Sequence, residues 1–205
     1  MNSRHHRRKA FFEQHAGSWD VICDHDEAKL REIFDILSLK NGDRVLDVGT
    51  GTGIAVPFIL ERIGTFGKIY AIDYAENMIR MAKEKFPKHE YPNVSFVTGD
   101  FFEISGKQLF DSIICYSCFP HIEDKSRFFQ KCFNLLDRDG TVLIAHTSSR
   151  AEINEMHARK HEAVKDDFLQ PIHEIKTTAK KNGFVVVAEK DDEQSFYILI
   201  KKIKY

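Results

Sequence analysis

Long apolar runs are missing from this chain of 205 residues. No stretch approaches the ~18 residues of a helical membrane span. An excess of one charge is missing too. The 30 lysines and arginines stand against 31 acids, so no global field draws the chain to nucleic acid or to acidic membranes. Cysteine is sparse at four residues without paired spacing, which points to a reducing cytoplasmic setting rather than a disulfide scaffold. The N-terminal stretch has charge but no apolar centre, so it does not read as a secretory signal. Repeats and low-complexity linkers are also absent, and the length fits one domain of ordinary size.

What is present centres on Arg44 to Asp73. Val45, Leu46 and Val48 form a short apolar run, as in a buried parallel strand. Gly49-Thr50-Gly51-Thr52-Gly53 follows, and Ile54, Ala55, Phe58, Ile59 and Leu60 then recur at helical spacing. A second run, Ile69 to Ile72, ends on Asp73. Glycines at 49, 51 and 53 allow a tight turn with positive φ and leave room for a ligand at the main chain. A helix opening there points free N–H groups at the ligand. Asp73 stands where a carboxylate can accept both ribose hydroxyls.

The glycine spacing narrows the ligand. A dinucleotide site requires G-x-G-x-x-G/A, and here the third glycine comes one residue early, with Ile54 in its place. Asp47 precedes the first glycine by two. A carboxylate there repels a pyrophosphate and suits a cation, such as the sulfonium and ammonium groups of S-adenosylmethionine. The stretch VLDVGTGTG resembles motif I of class I S-adenosylmethionine-dependent methyltransferases, residue for residue. The core as a whole resembles the ubiquinone/menaquinone-type small-molecule enzymes, most clearly over residues 44–146.

Strand–helix alternation with a terminal hairpin predicts a doubly wound α/β fold, Rossmann-like and mainly parallel. The resemblance implies seven strands, the last antiparallel. It implies an N-terminal helical lid over residues 1–40 and a cofactor-binding domain over 41–205, with an acceptor-side insert around 147–170. Helices are expected over Asp26–Leu39, Ala75–Phe86, Lys125–Leu136, about Glu152–Val164 and Ile172–Lys181, and strand five from Thr141. The basic start, Arg4 to Lys9, reads as a solvated, partly ordered end rather than a binding patch. Trp19 suits core packing and lid packing equally.

Ligands of open α/β sheets sit at the carboxyl ends of the strands. Those ends are Asp47, Asp73, Asp100, Cys115 and His146. The resemblance places Asp47 by the methionine portion of the cofactor, Asp73 at the ribose, and Asp100 with Phe101 at the adenine. Tyr74 and Met78 flank ribose and base, although Met78 suits plain core equally. Cys115 joins the cofactor set. The Asn/Asp-Pro-Pro-Tyr/Phe motif of enzymes that methylate DNA bases or glutamine is absent from the fourth strand end, which disfavours those acceptors. A small-molecule acceptor is expected, with neither nucleic acid nor membrane as partner.

Methyl transfer is an in-line displacement that needs alignment and, for O or N acceptors, often a base. His121 and His146 are the base candidates, each against an ordinary packing role. Cys23-x-His25 and His157-x-x-x-His161 have spacing that could serve a metal ion or a metal-containing acceptor, but no metal ligand set is assigned. Cys115-x-x-Cys118 lacks the context of a redox pair. Aminopropyl transfer, a non-catalytic binding module and a nicotinamide oxidoreductase stay open as rivals.

Overall fold

The computed structural model describes residues 3–23, 25–105, 109–160 and 162–203. Among them the strands are β1 (Arg44–Val48), β2 (Lys68–Asp73), β3 (Val94–Thr98), β4 (Phe110–Tyr116), β5 (Leu136–His146), β6 (Phe184–Asp191) and β7 (Phe196–Lys202). The helices are α1 (Ser3–His15), α2 (Trp19–Ile22), α3 (Glu27–Asp35), α4 (Val56–Ile63), α5 (Glu76–Lys85), α6 (Lys125–Leu135), α7 (Arg150–Lys160) and α8 (Ile172–Lys181).

The strands form one sheet in the order β3-β2-β1-β4-β5-β7-β6. β1, β2, β3, β4 and β5 pair in parallel, and β7 runs antiparallel between β5 and β6. The expected fold is therefore the observed one, with the antiparallel strand inserted one place in from the edge. Alternation along each strand feeds two cores. Ile113 and Cys115 of β4 join Val142 and Ile144 of β5 under α6 and α8. Ile114 and Tyr116 join Leu143 and Ala145 on the other face, under α3 and α4. There Phe34 stacks on Phe58 with ring centroids 5.6 Å apart.

Several boundaries moved. Asp26 caps α3 by accepting from Lys29 N, and the helix stops at Asp35, four residues short of the expected end. Leu30, Ile33 and Phe34 are core residues, which leaves the chain before them to cover the sheet's carboxyl edge. Strand β5 starts at Leu136, because Leu136 already pairs with Phe110 across a register shift. α7 begins at Arg150, and Ala163 and Val164 are buried in the turn that follows its last described helical residue.

The basic start is also corrected. It is helical, and Arg8 is only 3% exposed. Solvated lysines and arginines need no partners. A buried guanidinium does, and this one finds Asp167 and Glu123.

Candidate functional site

A cavity of about 530 Å³ opens above the carboxyl ends of β1, β2, β4 and β5. Its floor is the glycine turn, and its roof comes from α1 and α2 through Phe11, Phe12 and Trp19. Helix α4 starts only at Val56, so Ile54 and Ala55 belong to the turn.

The three glycines do three different things. Gly49 has φ +68°, and a Cβ there would overlap Cys118 Sγ, so glycine lets the β4 loop close against the turn. Gly53 has φ +85° and its added Cβ would lie 2.9 Å from the Phe86 ring, so it serves helix packing rather than ligand room. Gly51 faces the cavity, where an added Cβ would meet only Trp19 Nε1, at 3.9 Å.

The three acids also separate. Asp47 is 1% exposed and lies beneath the turn rather than in the cavity wall. Its Oδ2 has no hydrogen-bond partner among the described residues, and burial pushes its pKa up to about 7. Asp73 lines the cavity. Its Oδ2 accepts from Gly51 N at 3.0 Å and its Oδ1 from Ala75 N at 2.9 Å, which fixes the carboxylate and leaves lone pairs free. Burial raises it to about 6 against those two donors. Asp100 accepts from Phe102 N at 2.9 Å, capping the 3-10 turn Phe101–Glu103, and both Asp100 and Phe101 line the cavity.

Tyr74 and Met78 line the same wall; Met78 also packs with Ala16 and Ala75, so its core and site roles coincide. Cys115 is a correction. Strand alternation turns it into the core beside Cys132, and Cys118, three residues on, lines the cavity instead. Between them Ser117 holds φ +50°, a left-handed conformation at the point where β4 leaves the sheet.

The roof is held at several points. Glu13 of α1 accepts from the backbone N–H of Glu76 at 2.7 Å and of Asn77 at 2.8 Å, so a carboxylate caps the start of α5. Asp20 of α2 accepts from Thr52 Oγ1 at 2.5 Å and pairs with Lys85. Trp19 contacts Phe11 and Phe12 edge-on; it lines the cavity with them and also packs against the Ala16, Ala75 and Met78 cluster, so both expected roles meet in it.

The far end is rich in histidine. His25, His121, His146 and His157 all line it. His25 Nδ1 bonds Tyr116 Oη at 2.7 Å, and Tyr116 Oη bonds Thr147 Oγ1 at 3.1 Å. His121 sits on the 3-10 turn Phe119–His121, and Lys125 Nζ donates to the carbonyls of Phe119 and Pro120 within it and of Ile122 just after it. Its Nδ1 bonds Asp167 Oδ2 at 2.7 Å. His146 is 4% exposed and its Nε2 has no partner among the described residues. Burial, aided by His121 and His157, lowers His146 to about 3, so it is neutral at any working pH. Burial lowers His121 as well, with Asp167 opposing.

Sequence reading missed Arg8, Glu13, Asp20 and Asp167. No spacing marks them, because each acts on a residue more than thirty positions away. Among the described residues no group of three or more His, Cys, Asp or Glu is arranged to hold a metal ion. His161 lies outside the described residues, so the His157/His161 pairing has no structural counterpart here.

Residues 39–203 match a family model described as a methyltransferase domain. A malonyl-[acyl-carrier protein] O-methyltransferase of Acetivibrio thermocellus is 30% identical over 148 residues, which is 71% of this chain but 50% of that protein. The chain thus spans about half the length of that relative. An uncharacterised methyltransferase of a Geobacillus species is 30% identical over 196 residues, covering 85% of this chain and 88% of its own. Among solved structures, an S-adenosylmethionine-dependent methyltransferase from Aquifex aeolicus superposes with TM-score 0.72 at 20% identity, covering 93% of this chain and 98% of that one.

Proposed function

We propose that this chain, which belongs to the class I S-adenosylmethionine-dependent methyltransferases and uses that cofactor, methylates a small protic molecule held at the histidine end of its cavity. The carrying observation is that one cavity joins Gly51, Asp73 and Asp100 at one end to His121 and His146 at the other.

The residues present fit the cofactor. Asp73 offers free lone pairs to ribose hydroxyls, and Asp100, Phe101, Tyr74 and Met78 form the wall for the base. Asp47, with an unpartnered buried oxygen and a pKa raised to about 7, ionises more readily once a cation sits above the turn, and so supplies negative charge under the methionine end without lining the cavity. When bound, the cofactor supplies a methyl group on a sulfonium, which leaves as a thioether while the acceptor forms the new bond. The chain's own work is to align and to keep water out, with Trp19, Phe11 and Phe12 overhead. His121 takes the acceptor's proton. His146, too weak a base at about 3, offers Nε2 as a hydrogen-bond acceptor that orients the substrate.

The groups at that end include imidazoles, hydroxyls and apolar side chains such as Ile153 and Met156; Glu123, Asp124 and Arg127 also line the cavity, and Arg8 is paired with Asp167 and Glu123. A cytoplasmic location and the absence of nucleic-acid or membrane partners are part of this reading. No helix among the described residues is long and apolar enough to cross a membrane. The family weighs against aminopropyl transfer.

The test is calorimetric titration with S-adenosylmethionine and S-adenosylhomocysteine on wild type and Asp73→Ala, then an acceptor screen that follows release of S-adenosylhomocysteine. Binding lost in Asp73→Ala is expected. With an active acceptor, His121→Ala should lose about 10²- to 10⁴-fold in kcat. Full turnover by His121→Ala would remove the base assignment.

A further inference from the structure

His121, Asp167 and Arg8 come from three separate segments: the turn after β4, the connection between α7 and α8, and helix α1. Asp167 is 2% exposed and is surrounded by donors. Its Oδ2 accepts from His121 Nδ1 at 2.7 Å and from Arg8 Nε at 2.8 Å. Its Oδ1 accepts from Arg8 Nη2 at 2.5 Å and from Arg4 Nη2 at 2.9 Å. Its backbone carbonyl bonds His157 Nδ1 at 2.7 Å. Arg8 Nη1 reaches Glu123 at 3.0 Å.

A carboxylate in this company is ionised, so the proton on the His121–Asp167 bond belongs to Nδ1. Nε2 of His121 is then the ring atom left with a lone pair, on a residue that lines the cavity. A buried ion pair adds little net stability over apolar packing, so stability alone explains this one poorly. Its placement does better. Arg8 lies on the same helix as Phe11, Phe12 and Glu13, the segment that roofs the cofactor end.

We propose that Asp167 is the positioning residue of the acceptor base, fixing His121 through Nδ1, and that Arg8 completes it from α1, so the base is aligned only when the roof is docked. This rests on the methyl-transfer reading with His121 as base. It ties alignment of the base to covering of the cofactor.

The charged and titratable groups facing His121 are Asp167, Arg8, Lys125, His157 and His146. Burial lowers its pKa, Asp167 raises it, and Arg8 and Lys125 lower it further. The two key substitutions therefore push in opposite directions. The experiment is an NMR titration of protein with isotope-labelled histidine, with His121 assigned through His121→Gln. Asp167→Asn should move the His121 midpoint down by about one pH unit or more, and Arg8→Met should move it up. In wild type at neutral pH, His121 should show the Nδ1-protonated tautomer.

An unmoved midpoint in Asp167→Asn would make Asp167 a mere anchor for α1 and overturn the proposal. A shift in Asp167→Asn alone would overturn the part given to Arg8. Should Asp167→Asn fail to fold, the wild-type tautomer decides, and Nε2 protonation would refute the arrangement. The titration needs no acceptor. A silent acceptor screen would therefore strike the functional reading and with it the name of acceptor base, while leaving the coupling of His121 to Asp167 and Arg8 measurable; an unmoved midpoint would strike this inference alone.

Discussion

Replacing Asp47 with asparagine should change how the stability of the unliganded protein depends on pH. Asp47 has a folded pKa of about 7 against 3.8 when exposed, because burial penalises its charge and Oδ2 has no partner among the described residues. The folded state therefore keeps a proton that the unfolded state has lost. Below pH ~4 the group costs nothing, since both states are protonated. From there the cost grows by about 1.4 kcal/mol per pH unit and levels off above pH 7 at roughly 4 kcal/mol. Between pH 5 and pH 8 wild type should lose roughly 2.5 kcal/mol through this residue, and Asp47→Asn should not. The buried amide carries its own unsatisfied N–H, costing about 1–3 kcal/mol at every pH, so the slope and not the absolute value is the readout. Urea unfolding of both proteins at pH 5, 6, 7 and 8 gives the difference directly. Parallel stability curves across that range would refute a buried acid with a raised pKa. With the cofactor placed as proposed, its positive charge lies near Asp47, so saturating S-adenosylmethionine should flatten the wild-type slope.

Trp19 is the single tryptophan, and its Nε1 stands over Gly51. Its emission should respond to S-adenosylhomocysteine, and Trp19→Phe should bind the ligand more weakly with little change in melting temperature; an unresponsive spectrum at saturation would place Trp19 off the cofactor path. Gly49→Ala sets a Cβ against Cys118 Sγ at φ +68° and should destabilise by about 2 kcal/mol or more, partly recovered by Cys118→Gly, as read from urea midpoints. A second change at Cys118 that restores nothing would show that backbone strain alone matters.

The glycine-turn end of the cavity was legible because its information is contiguous. A strand, a glycine turn and an acid at the next strand end fall within thirty residues, and local geometry then forces Asp73 and Gly51 together. Register was less legible. The choice between Cys115 and Cys118 depends on which residue alternation turns upward and on the left-handed Ser117 between them. Neither is marked by composition. Likewise the glycines look alike in sequence, yet Gly53 answers to Phe86 and Gly49 to Cys118, partners 33 and 69 positions away.

By itself, then, the sequence determined the fold class and the glycine-turn end of the cavity, because hydrophobic period, turn chemistry and strand-end acids are local properties of the chain. Only the tertiary structure decided how the histidine end of the cavity is built. Arg8, His121 and Asp167 carry no mutual spacing, and a run of arginines at an N-terminus reads as solvated. They come together because α1 folds back over the sheet and buries a guanidinium, which must then find a carboxylate.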